Sequence, residues 1–98
     1  MAKILFNITN GINNQTKASL GFMLARTAVE EGHEVTVFLN ADAVSLIRPP
    51  VLENLVGLGT GSLKEHFNVL KKARVPIYVS AISCEIRGVT AQDLKDSK

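Results

Sequence analysis

A small α/β domain built on a parallel sheet is the fold this sequence predicts. Three observations lead there. Short apolar runs rich in β-branched and aromatic residues recur at 3–9, 34–39 and 76–80. Longer stretches with helical periodicity and capping residues lie between them. The chain has 98 residues, enough for one domain and one core. Strands that alternate with helices imply parallel pairing through right-handed crossovers. The expectation is a three-layer sandwich with strand order 2-1-3 and helices on both faces of the sheet.

The first run, KILFNIT, reads as a strand buried on both faces. NGINNQ at 10–15 is turn chemistry, because Asn and Gly tolerate positive φ. A helix opens at Gln15 or Thr16 and ends at Gly32. Its wheel gathers Ala18, Gly21, Phe22, Leu24, Ala25, Ala28 and Val29 on one face. Leu20 and Met23 fall outside that face, where they suit a subunit interface.

EVTVFL at 34–39 is the second strand. Asn40 caps a short helix through Ile47, which Pro49 and Pro50 stop. Residues 51–61 are apolar but carry Gly57, Gly59 and Gly61, and read as a mobile loop with one helical turn. Ser62 and Glu65 form the S-x-x-E pattern of a capping box ahead of a helix to Arg74. Leu63, Phe67 and Leu70 are its inner stripe. Pro76 opens the third strand, where a missing N–H is tolerated. A last short helix starts at Thr90.

Composition removes several function classes. A net charge of +2 with scattered Lys and Arg gives no nucleic-acid footprint. No apolar run reaches the roughly 20 residues of a membrane helix. One Cys and two distant His make no metal site, and no cofactor motif is present. A single cysteine excludes an internal disulfide and fits a reducing cytoplasm.

Chemistry is expected at the carboxyl ends of the strands. With order 2-1-3, loops 10–15 and 81–89 lie side by side there, facing helix N-termini. Cys84 would then sit in a polar, solvent-accessible loop, three residues from Arg87. Arginine and helix N-termini favour the thiolate, the nucleophilic form. The plainer reading of a lone cysteine is a small buried hydrophobe. His66 stands at the same edge and reads most simply as a half-exposed surface residue. Asp42 and Glu65 read as helix-dipole partners. His33 lies at the opposite edge and is given no role. Thr9-Asn10-Gly11 followed by Thr16 only faintly resembles a phosphate-binding turn, lacking its glycine spacing and lysine.

Four segments carry a family resemblance: KILFNITNG; ASLGFMLARTAVEEGHEVTVFLNADAV; LKEHFNVLKKARVPIYVS; and the closing C-x-x-RG-V-x-x-x-DL from Cys84 to Leu94. Over nearly its whole length the chain resembles the DsrE/DsrF-like family of sulfur-relay proteins. The resemblance implies a flavodoxin-like sandwich that assembles into trimers or hexamers. It also implies a loop cysteine that carries a persulfide and passes sulfur to a partner. Two departures stand out. Ser83 occupies the place of the relatives' cysteine, so Cys84 is offset by one. The relatives' further strand and helix are missing here. Two functions from different classes follow. One is a sulfur carrier using Cys84. The other is a non-enzymatic oligomeric module that holds a small anion or nucleotide with Asn10, Gly11, Ser83, Arg87 and Gly88.

Overall fold

The computed structural model describes residues 2–96. Strand β1 (Lys3–Ile8) leads through helix α1 (Gln15–Glu30) to β2 (Glu34–Leu39). A 3-10 segment (Ala41–Ile47) and helix α2 (Pro49–Asn54) follow. A tight hairpin, β3 (Val56–Gly57) with β4 (Gly61–Ser62), precedes α3 (Leu63–Lys72). Then come β5 (Ile77–Val79), α4 (Ala81–Arg87) and α5 (Ala91–Asp96). The three long-range strands all pair in parallel, as the alternation of strand and helix predicts.

Their order differs from expectation. β2 lies between β1 and β5, so the order is 1-2-3 and not 2-1-3. The order also decides the layers. Each crossover steps across the sheet in the same direction, and right-handed connections then deliver α1 and α3 to the same face. Phe22 of α1 and Phe67 of α3 meet there, ring centroids 6.5 Å apart. Ile4, Phe6 and Ile8 of β1 point into this layer beside Val35, Val37 and Leu39 of β2. Gly21 sits so close to Ile8 that a Cβ would touch its side chain at 3.0 Å.

The reverse face carries Lys3, Leu5 and Asn7, then Glu34, Thr36 and Phe38, then Tyr78. Leu5 is 63% exposed and Tyr78 is 58% exposed. The sheet is thus covered on one side, and the expected second helical layer over it is not formed among the described residues. The sequence holds the reason: Lys3-x-Leu5-x-Asn7 and Glu34-x-Thr36 alternate with apolar residues, the pattern of a half-solvated strand.

Local chemistry explains the remaining elements. Asn14 caps α1 by accepting from the Lys17 amide at 3.1 Å, and Gly32 takes φ +88° just past its end. Leu24 is exposed rather than on the inner face, whereas Ser19 is buried, because α1 also receives the β3–β4 hairpin. Asn40 caps the 3-10 segment at the Ala41 amide. Pro49 and Pro50 end that segment but open α2, where their missing N–H groups cost nothing. Residues 51–61 therefore contain the expected helical turn, as the end of α2, but the rest is a hairpin and not a loop. Ser62 precedes α3 without capping it through its side chain, so the expected capping box does not form.

Candidate functional site at the carboxyl edge of the sheet

The three strand exits converge at one edge, but the middle one belongs to β2. Residues 40–45 therefore separate the two loops expected to be neighbours. On one side, Gly11 presses against this segment. A Cβ there would lie 2.3 Å from the Asp42 carbonyl oxygen and 2.9 Å from Ser45 Oγ. Asn10 is half-buried, and its Oδ1 accepts from Asn13 Nδ2 at 3.3 Å. On the other side lies α4.

Residues 81–87 form a helix, not the loop read from sequence. Ser80 caps it by accepting from the Ser83 amide at 3.3 Å, and Gly88 closes it at φ +68°. Ser83 and Arg87, one turn apart, both reach the β2 exit. Ser83 Oγ donates to Asn40 Oδ1 at 2.9 Å and accepts from the Ala41 amide at 3.0 Å. Arg87 Nε donates to Asp42 Oδ1 at 2.9 Å. Ala41, between the two anchors, holds φ +49°, a left-handed value uncommon for a residue with a Cβ.

Cys84 shares the buried side of α4 and is 9% exposed. Burial pushes its thiol up, away from the thiolate. This corrects the expectation of an accessible cysteine with a lowered pKa. Arg87 is committed to Asp42, and the helix places Cys84 toward the core cluster. Of the residues expected at the site, Ser83 and Arg87 meet around the β2 exit, and Gly11 meets the same segment from the far side. Gly88 shapes the end of α4 and has open space where a Cβ would be. Sequence reasoning assigned Asn40 and Asp42 only to capping and the helix dipole. The signal for more was a side-chain acceptor at each of two positions directly after a central strand.

His66 is also corrected: it is 7% exposed rather than half-exposed. Its Nε2 lies 2.7 Å from the Thr60 carbonyl oxygen, so Nε2 carries the proton and Nδ1 is left buried without a partner. It ties α3 to the hairpin. The hairpin in turn docks on α1 through the Ser19–Thr60 hydroxyl contact and a bond from the Leu58 amide to Thr16 Oγ1 at 3.1 Å. Among the described residues no cluster of His, Cys, Asp and Glu fits a metal ion, and no helix is long and apolar enough to cross a membrane.

The fold is α/β with a parallel sheet, and the lone cysteine stands beyond the third long strand. The model of the DsrE/DsrF-like family matches residues 2–97, and the chain belongs to that family. Membership suggests a sulfur-relay-like role. No curated protein matches the chain, and no solved structure does.

Proposed function

We propose that this protein is a sulfur carrier in which Cys84 takes sulfur from a donor persulfide and yields it to a partner's thiol. The observation that carries the reading is the position of the chain's only cysteine, on a short helix at the carboxyl edge of the sheet, in a member of this family. In the first step the Cys84 thiolate attacks the terminal sulfur of the donor persulfide. The S–S bond of the donor breaks and the donor leaves as a thiolate, so no external oxidant is needed. In the second step the acceptor thiolate attacks the terminal sulfur on Cys84 and releases it again as a thiolate. Both steps need the thiol uncovered and deprotonated, so α4 must move for either to occur. A carrier with one thiol and no disulfide suits the cytoplasm. The protein works as a homo-oligomer, a trimer or hexamer, with separate donor and acceptor proteins.

A second reading is favoured by the burial of Cys84 and its raised thiol. In it the same edge holds a small anion or nucleotide through Asn10, Gly11, Ser83, Arg87 and Gly88, without covalent chemistry. Intact mass after incubation with a small-molecule persulfide separates the two. The carrier reading expects one added sulfur that is lost in Cys84→Ser and released by a competing thiol. An unchanged mass in the wild-type protein rejects it and leaves the binding module.

A further inference from the structure

We infer that residues 81–88 form a strap that swings off the β2 exit as a unit, held shut by two polar clasps, Ser83 to Asn40 and Arg87 to Asp42. The inference concerns regulation of the site proposed above and rests on that reading only for its biological use. Four features of the segment support it. Its grip is narrow: α4 has seven residues and buries only Ser83 and Cys84, while Ile82 and Ile86 face outward and exposed. Segments with so little buried apolar contact open well before the rest of a domain. Its clasps are polar, and the ion pair is wet: the Arg87 and Asp42 side chains are 30% and 49% exposed. Such pairs are weak and screened by salt.

The strap also has defined ends. At one, the Ser80 amide continues the sheet ladder by donating to the Leu39 carbonyl oxygen at 2.9 Å. At the other, Gly88 is left-handed with free space around it, and Val89 is buried as the anchor beyond it. Finally, the surface it covers stays satisfied without it. Ala41 keeps its left-handed φ beneath two acceptors, Asn40 Oδ1 and Ser83 Oγ. Lifting the strap removes one acceptor and leaves the other, so no amide is stranded when it opens.

Alkylation of native protein by iodoacetamide reads the opening, with Cys84 as reporter. Ser83→Ala removes one clasp and Asp42→Ala the other. Ala28→Gly, in the last turn of α1 and away from the strap, weakens the whole fold instead. The expected result, at a temperature where all variants are folded by circular dichroism, is labelling about tenfold faster in Ser83→Ala, which loses the Oγ bonds to Asn40 and to the Ala41 amide. Asp42→Ala should be roughly threefold faster and insensitive to added salt, whereas proteins that keep the ion pair should accelerate with it. Ala28→Gly should label at the wild-type rate. Equal acceleration in all three variants, which means labelling through global unfolding, overturns the strap. So does a Ser83→Ala protein that labels no faster than wild type. Alkylation involves no sulfur donor, so failure of persulfide formation leaves this result standing, and the converse also holds.

Discussion

A thiol held among apolar neighbours keeps its proton more tightly than a free one, and that preference has a sign. Cys84 has a folded pKa above its unfolded value. Its contribution to stability is therefore complete below the unfolded pKa, about 8.5, and is lost as pH rises through the folded value. Unfolding by urea should show a midpoint that falls above about pH 8.5, and Cys84→Ala should remove that part of the fall. A midpoint with the same alkaline slope in both proteins would contradict the buried thiol. Gly11 makes a second residue-scale case. An added Cβ meets the Asp42 backbone at 2.3 Å, and backbone cannot rotate aside. Gly11→Ala should cost about 1–3 kcal/mol by overpacking, again read by urea unfolding. Nothing in the sequence marks Gly11 as a packing position rather than a turn glycine, since the approach comes from residues far along the chain.

At the scale of elements, the ends carry most of the legible information. Asn40 and Gly32 were readable because each satisfies a local hydrogen-bond or dihedral demand, whereas the cap at Asn14 was hidden in the turn read over 10–15. Helix α4 was legible too, in hindsight. Ser80 before it and Gly88 after it are the two ends of a short helix, and Ile82 and Ile86 are spaced by four. The polar look of SCEIR concealed this, because a helix lying on a loop needs little apolar face. Ser62 failed as a capping box because Gly61 at φ +81° and the hairpin fix the approach to α3. The far end of α3 offers a prediction. Arg74 holds φ +59° as the helix terminates, a position where glycine avoids the Cβ clash. Arg74→Gly should stabilise the protein by about 1 kcal/mol, seen as a rise in Tm. Gly32→Ala at the end of α1 should lower stability by a similar amount.

For the whole molecule, the parallel sheet and its strand positions were written in the sequence, but the strand order was not. Apolar runs and caps specify that crossovers exist and which hand they take. They do not specify whether the second crossover steps onward or back. The alternation in KILFNI and EVTVFL held the missing clue, since a strand between two helical layers has no use for Lys3, Glu34 or Thr36 on one side. The open face has an associated prediction. If the homo-oligomer forms over it, Leu5→Lys with Tyr78→Lys should reduce the mass found by light scattering to that of one chain. A wild-type protein that already scatters as a monomer at micromolar concentration would remove the oligomer. The strand order also bears on time. Within the three-stranded sheet each strand is laid beside the sheet strand made before it, so none waits for a later one to fill a gap between neighbours. β1, α1 and β2 form a closed local unit whose pairing spans the shorter of the sheet's two crossovers. Synthesis and folding can therefore proceed in the same direction. In pulse-labelled hydrogen exchange during refolding, amides of β1 and β2 should gain protection before those of β5, and the far end of the chain should be the first to lose it on unfolding.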